Sequence, residues 1–212
     1  MVDPEARDRT RRSLHGLAEL LLAGPQYAQS EDIRLRATAG GLGTVAAPDV
    51  RIDGVELVVG NARHRLDGTV GEIAERVGLV PRELSDVYSD TAGVDVDDVV
   101  SLDADAVAEI AGAFASGDAA LRAFAPTEEP VLWPEHFDIG ISVDEVNYGV
   151  SPGDAHVAEP YAYVGPWSPR SGSFWNMSFG AVRPMSELAD AAAVEAFFRD
   201  GAHHDSADPP AS

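Results

Sequence analysis

Apolar residues recur at helical spacing along the first part of the chain. Leucines and alanines follow one another at intervals of three or four residues from about residue 4 to residue 23, which predicts a helix. The dipeptide Gly24-Pro25 comes next. It predicts the end of this helix, because proline supplies no backbone donor.

The pattern then changes to the two-residue period of β-strands. Apolar and charged side chains alternate over 33–37, which predicts a strand. Apolar residues over 50–59 flank Asp53-Gly54, a dipeptide typical of tight hairpin turns. A further short strand is expected over 63–66.

Helical signals return after this β-rich stretch. Thr69 and Glu72 have the spacing of a capping box, which predicts a helix start, and a second short helix is expected from Pro81. Residues 89–102 are expected to form a loop rich in aspartate. A long helix is expected over 103–124.

The last third of the chain is rich in aromatic residues separated by glycine and proline. All three tryptophans lie after residue 130. Short strands are expected over 137–146, 161–164 and 174–179, followed by a closing helix over 186–198. Residues 201–212 are expected to form a disordered tail.

These elements predict an α+β fold. We expect a mostly antiparallel sheet with helices packed on one side and an aromatic-rich C-terminal half. Residues 1–200 would form a single domain. Two lobes, over 1–126 and 130–200, are the alternative.

The amino-acid composition limits the kinds of catalytic and metal-binding groups that the chain can supply. The 212 residues include 36 Asp and Glu against 15 basic residues, and the formal net charge is −21. Every basic residue is arginine, and the chain has no cysteine. Schiff-base lysines, phosphate-loop lysines, thiol nucleophiles, disulfides and cysteine-ligated metals are therefore excluded.

The negative charge also bears on partners and location. A strongly acidic chain repels nucleic-acid backbones and anionic membranes, so neither is expected as a partner. Residues 69–90 resemble a helix-turn-helix, which makes DNA binding a third functional alternative, although the recognition segment has one arginine against several carboxylates. We find no secretory signal, and a cytoplasmic location is expected.

Arginines cluster in the first turns of the predicted N-terminal helix. They are Arg7, Arg9, Arg11 and Arg12. Cations at a helix N-terminus oppose the macrodipole. In one interpretation neighbouring carboxylates offset them, and in the other they form a basic patch for an acidic ligand.

The segment 133–138 carries the densest set of candidate catalytic groups. If it is extended, His136 and Asp138 lie on one face and Phe137 lies on the other. The candidate catalytic residues are Glu135, His136 and Asp138. Paired imidazole and carboxylate groups suit general acid–base chemistry. The alternative is a structural hydrogen-bonded pair at the start of a strand.

The same groups also suit a divalent metal, the one cofactor that the sequence leaves open. Imidazole and carboxylate ligands can hold such an ion without cysteine. The candidate ligands are His136, Asp138, His156 and Glu159. Their alternative is again structural, with His156 in a solvated loop.

Aromatic and amide side chains of the region 133–176 form a candidate ligand pocket. They are Trp133, Tyr148, Tyr161, Tyr163, Trp167, Trp175 and Asn176. Such a pocket would suit a planar or sugar-like molecule. The alternative is that these rings pack in the core.

Several short motifs resemble those of a family of uncharacterised proteins from GC-rich bacteria. They are Trp133-Pro-Glu-His-Phe-Asp138, Ser151-Pro-Gly-Asp154, Glu159-Pro-Tyr161 with Tyr163-Val-Gly-Pro-Trp167, and Phe174-Trp-Asn176. Two N-terminal segments, Ser13-Leu-His-Gly-Leu-Ala-Glu19 and Ile33 to Gly41, also look similar to that family. The resemblance therefore covers most of the chain as one unit, and it implies no particular activity or ligand. It favours 133–176 as the site region.

The functional expectation is a small-molecule-binding protein or an enzyme with its pocket among residues 133–176. The alternative is a non-catalytic protein that binds a protein partner or a second copy of itself.

Overall fold

The computed structural model describes residues 2–210 and divides the chain into two compact units. Unit 1 contains the residues up to Gly112 together with Leu132–Phe137. Unit 2 contains Ala113–Val131 and the residues from Asp138 onward. This division differs from the expected lobes 1–126 and 130–200, because it passes through a helix and not through the linker that follows it.

A helix without interruption opens unit 1. It consists of α1 (Pro4–Leu17), a π-helical segment (Ala18–Ala23) and α2 (Gly24–Ser30). The predicted end at Gly24-Pro25 is therefore wrong. In an α-helix the ring of Pro25 would meet the carbonyl four residues earlier. The π segment gives the wider turn that accommodates it, since the Gly24 N–H donates to Glu19 O, five residues back.

Six short strands belong wholly or mainly to unit 1, in the order β6-β1-β2-β3-β4-β5. They are β1 (Leu35–Thr38), β2 (Gly41–Thr44), β3 (Val50–Asp53), β4 (Glu56–Val59), β5 (Ala62–Arg65) and β6 (Val131–Trp133). Neighbouring strands pair antiparallel. The hairpin predicted around Asp53-Gly54 is confirmed, because Val50 pairs with Val59 and Gly54 has a φ of 61°.

Helix α3 (Val70–Val77) confirms the predicted capping box of Thr69 and Glu72. The helix expected from Pro81 is wrong. Residues 79–103, which we call the acidic loop, contain no helix or strand. This loop is tied down by its backbone: Gly71 N–H donates to Val96 O, for example, at 2.8 Å. It ends at Asp103, whose carboxylate caps α4 (Ala104–Phe124).

Unit 2 is built on a four-stranded antiparallel meander in the order β7-β8-β9-β10. The strands are β7 (Asp138–Val143), β8 (Val146–Ser151), β9 (Tyr161–Pro166) and β10 (Ala181–Pro184). The strand expected over 174–179 is wrong, since this segment forms turns that precede β10.

Helices cover one face of this meander. A Cβ added at Gly117 of α4 would lie 2.8 Å from a methyl group of Val150, and one at Gly201 of α5 (Ala191–Ala207) would lie 2.7 Å from a methyl group of Val164. Val150 and Val164 belong to the same face by the two-residue period and the strand register. The glycines let both helices approach that face closely.

The C-terminal helix begins and ends later than predicted. Its N-cap is Asp190, whose carboxylate accepts from the Ala193 N–H, and it extends to Ala207. The expectation of disorder from residue 201 is therefore wrong over residues 201–207. Side-chain bonds such as Arg170 to Asp205, at 2.7 Å, tie this helix to the preceding loop. Residues 211–212 lie outside the described residues.

The expected fold class is confirmed. Both units combine antiparallel strands with helices, and aromatic rings cluster in the C-terminal half. Within residues 2–210, no helix has the length and apolar character that crossing a membrane requires.

Candidate functional site

Glu135 and His136 form a pair near the surface of unit 1. His136 Nε2 lies 3.1 Å from Glu135 Oε1, and its Nδ1 lies 4.0 Å from Asp90 Oδ2. The His136 side chain is 58% exposed. Phe137 has a φ of 50°, so the segment turns and is not the extended strand that the sequence analysis assumed. A catalytic role for this pair stays a prediction.

Asp138, the third candidate catalytic residue, is a buried hydrogen-bonding partner at the start of β7. The Tyr163 hydroxyl donates to its Oδ2. Burial, and then the nearby Asp138 charge, raises the pKa of Tyr163 well above its usual value. Gly140 and Gly149 leave room for the tyrosine, since a Cβ on Gly149 would lie 2.5 Å from its ring. The arrangement holds a neutral phenol against a carboxylate on the face of the meander opposite Val150 and Val164.

The candidate metal ligands make other contacts. The His156 ring lies 5.9 Å from the Phe179 ring, and Glu159 accepts from the Ser186 hydroxyl at 2.7 Å. Among residues 2–210, no three His, Asp or Glu side chains are grouped so that they could hold a metal ion. The set His136, Asp138, His156 and Glu159 therefore stays a prediction that the geometry does not support.

Three of the candidate pocket residues have structural contacts in unit 2. Tyr148 is buried against Phe124, with ring centroids 4.6 Å apart. Trp175 donates from Nε1 to Asp208 at 3.0 Å, and the Asn176 side chain bonds both the N–H and the carbonyl of Val182. The burial of Tyr148 agrees with the core-packing alternative, whereas Trp175 is half-buried and Asn176 is exposed.

The remaining pocket candidates are divided between the units. Trp133 is half-buried in β6 of unit 1. In unit 2 the Tyr161 hydroxyl donates to Asp154 at 2.5 Å, whereas Trp167 is 62% exposed and donates to Asn147 at 3.1 Å. Their role in ligand binding stays a prediction.

The most unusual chemistry in unit 1 is a buried carboxylate that the sequence analysis did not select. Glu19 lies in the π segment and is only 5% exposed. It accepts from the Tyr88 hydroxyl and from the Ala92 N–H, each at 2.8 Å. Burial raises its pKa, and the two hydrogen bonds oppose that rise. The acidic loop therefore closes over a carboxylate that is costly to ionise.

His15 lies one helical turn before Glu19. Its Nε2 donates to Pro134 O at 2.6 Å, and its ring stacks on Phe137 with centroids 5.0 Å apart. Burial lowers the pKa of His15 to about 4, although the bond to the carbonyl opposes this effect. The imidazole is thus neutral at pH 7. A bond to a carbonyl requires that Nε2 carry its proton.

The π segment also holds the start of the acidic loop. Because Gly24 N–H pairs with Glu19 O, the Leu20 carbonyl is free to accept from the Arg82 N–H at 3.2 Å. A Cβ at Gly24 would lie 2.1 Å from Arg82 O, so only glycine permits this approach. The Arg82 guanidinium then lies over the Tyr27 ring, 4.8 Å from its centroid.

Two clefts lie between this helix and the loop. One, the acidic cleft, has a volume of about 240 Å³. Its lining residues are Glu19, Leu20, Glu83, Leu84, Ser85, Thr91, Gly93, Val94 and Asp95. Three of them are carboxylates, and none is basic.

The second, the arginine cleft, has a volume of about 220 Å³. Its lining residues are Arg9, Arg12, Ser13, Val70, Val94, Asp98, Val99, Val100 and Ser101. Val94 belongs to both clefts and packs on Gly16, where a Cβ would lie 2.5 Å from it. The loop thus passes over the helix between an acidic and a basic region.

A signal for this site was present in the sequence. His15 and Glu19 are four residues apart, so a predicted helix places them on one face.

No protein-family model matches the chain, and searches of curated proteins and of solved structures also find no match.

Proposed function

We propose that this chain binds a small organic ammonium compound in the acidic cleft. The observation that carries the proposal is the lining: Glu19, Glu83 and Asp95 are its charged groups, and every one is negative. An ammonium group can donate charge-assisted hydrogen bonds to such carboxylates. The net charge of −21 adds long-range attraction for a cation.

The apolar lining favours an organic cation over a bare metal ion. Leu20, Leu84 and Val94 supply surface that an alkyl chain would cover. Calcium and magnesium prefer oxygen ligands all around. The volume of about 240 Å³ lies below the usual lower bound of about 300 Å³ for ligand pockets, which favours a compact amine.

Glu19 would couple binding to protonation. Burial raises the pKa of this carboxyl, and a bound ammonium would lower it again, because an opposite charge stabilises the ionised form. Binding would therefore release protons at a pH near the carboxyl pKa. Calorimetry in buffers of different ionisation enthalpy measures that release directly.

The direct test is calorimetric titration of the full chain with n-butylamine at low ionic strength. We expect saturable binding that E83Q weakens roughly fivefold, since a partly exposed ion pair contributes up to about 1 kcal/mol. The matched control is E75Q, which removes an exposed carboxylate of α3 outside the cleft. No saturable binding, or equal weakening by E75Q, would overturn the proposal. Calcium binding that excludes butylamine would reassign the cleft to a metal.

The other functional expectations stay predictions made from the sequence. The acidic charge supports a protein that binds neither nucleic acid nor anionic membranes. A cytoplasmic location, self-association and a pocket among residues 133–176 likewise stay predictions. The helix-turn-helix expected over residues 69–90 is not formed, because no helix follows α3 in this segment. A gel-shift series at low salt, where electrostatic binding is strongest, would show whether the segment binds DNA in another way.

A further inference from the structure

We infer that the arginine cleft is a second site, which binds a small organic carboxylate. The inference does not rest on the proposed amine site, because different side chains supply the charge. Arg9 and Arg12 are the basic groups of this cleft, and Ser13 and Ser101 add two hydroxyls. The guanidinium fork matches the two oxygens of a carboxylate.

The arginines of α1 differ in how firmly carboxylates hold them. Arg7 makes two hydrogen bonds to Glu109, at 2.5 and 2.9 Å, and Arg11 contacts Asp8 at 2.6 Å. The ion pairs of Arg9 and Arg12, which line the cleft, are looser, at 3.7 Å to Glu5 and 3.8 Å to Asp98. In a chain with such an excess of acid, these two guanidiniums keep donors available for a ligand.

The hydroxyls add neutral donors. Ser13 Oγ accepts from the Ser101 N–H at 3.0 Å, so its own hydrogen can still be donated. Arg12 also holds the loop, because its Nη2 donates to Gly93 O at 2.9 Å. That bond fixes one edge of the guanidinium beside the cleft, which lowers the entropy cost of binding.

The rest of the lining selects the class of anion. Four valines line the cleft, and one of them, Val99, is 71% exposed. An alkyl group on the ligand would cover this surface. Asp98 and the net charge of −21 act against a dianion more than against a monoanion. A short branched monocarboxylate fits these conditions better than inorganic phosphate does.

The test is titration of the full chain with isobutyrate, acetate and inorganic phosphate at low ionic strength, followed by NMR or calorimetry. We expect isobutyrate to bind more tightly than acetate and phosphate. R9Q and R12Q should each weaken isobutyrate binding up to about fivefold, because solvent screens an ion pair at an exposed arginine. R11Q is the matched control, because it removes an arginine of the same helix outside the cleft.

A gain of binding separates the site from a merely structural role. D98N removes the carboxylate nearest Arg12 and keeps a side-chain oxygen, so isobutyrate should bind severalfold more tightly. Loosening of the loop would have the opposite effect. E83Q, which tests the amine site, should leave isobutyrate binding unchanged.

Three results would overturn the inference: phosphate binding as tightly as isobutyrate, R9Q and R12Q behaving like R11Q, or no gain in D98N. The first would mean that the site recognises anions without regard to an alkyl group. Failure of butylamine to bind would affect only the proposed function.

Discussion

The carbonyl oxygen of Leu20 accepts a hydrogen bond from the Arg82 N–H at 3.2 Å. In an α-helix that oxygen would accept from the Gly24 N–H. In the π segment the Gly24 N–H donates to Glu19 O instead. A free acceptor therefore lies within the helix, and the acidic loop binds to it with its own backbone. The wide turn that accommodates Pro25 thus anchors the loop beside the acidic cleft, which Leu20 lines.

Replacement of Gly24 by alanine should destabilise unit 1. The new Cβ would lie 2.1 Å from Arg82 O, a backbone atom that cannot move without releasing the loop. Such overpacking costs about 1–3 kcal/mol. Chemical denaturation of G24A measures the loss, and butylamine titration shows whether the acidic cleft is lost with it.

The control for this substitution is G112A. A Cβ at Gly112, within α4, meets nothing within 4 Å. Alanine is the better helix former by about 0.5–1 kcal/mol, so G112A should be slightly stabilising. If G24A proved as stable as G112A, the close approach of the loop would be refuted.

His15 should make stability depend on pH in a defined window. Its folded pKa of about 4 lies below the ordinary value of 6.5, so the native state favours the neutral ring. The resulting stabilisation is fully present above pH 6.5 and is lost as the pH falls through 4, with an upper bound of about 3 kcal/mol. Urea denaturation across this range measures it.

The matched variants are H15Q and H203Q. H15Q should flatten the stability profile between pH 6.5 and pH 4, because glutamine does not titrate. H203Q alters an exposed histidine and should keep the wild-type slope. Equal slopes in H15Q and the wild type would show that His15 is not buried in its neutral form.

Removal of the Tyr88 hydroxyl should lower the free energy of unfolding, because the buried Glu19 carboxylate loses a hydrogen bond. The bond from Tyr88 lowers the Glu19 pKa, so Y88F should raise that pKa further. At neutral pH the lost bond to a charged acceptor costs about 1.5–3 kcal/mol. Denaturation gives the cost, and NMR titration of the carboxyl carbon gives the pKa.

For Y88F the control is Y27F. Tyr27 packs under the Arg82 guanidinium through its ring, so the loss of its hydroxyl should change stability little. An unshifted carboxyl titration in Y88F would contradict the assigned contact.

Tyr163 and Asp138 should be energetically coupled in unit 2. Y163F leaves the buried acceptor without this donor, which costs about 1–3 kcal/mol. A double-mutant cycle with D138A isolates the pair from the other contacts of each residue. Coupling below about 0.5 kcal/mol would show that the two side chains do not depend on each other.

Local spacing in the sequence determined the elements whose signals lie within a few residues. The capping box of Thr69 and Glu72 and the turn at Asp53-Gly54 are formed by neighbouring residues, so their prediction needs no knowledge of the rest of the chain. The absence of lysine and cysteine from the 212 residues is equally certain from the sequence.

The tertiary structure decided the features that depend on distant partners. Pro25 predicts a helix end, but the helix continues past it because the π segment provides a wider turn. The Leu20 carbonyl then accepts from the N–H of Arg82, a residue distant in the sequence. The expected tail after residue 201 is helical because the last turns bond to residues 170–175.

The candidate site around His15 and Glu19 also depended partly on local spacing and partly on distant partners. The four-residue spacing of His15 and Glu19 was visible, but the perturbation of their pKa values was not. Perturbation requires burial, and the acidic loop and the turn after β6 provide that burial by closing on the helix. Residue types and their spacing are properties of the sequence, whereas desolvation is a property of the fold.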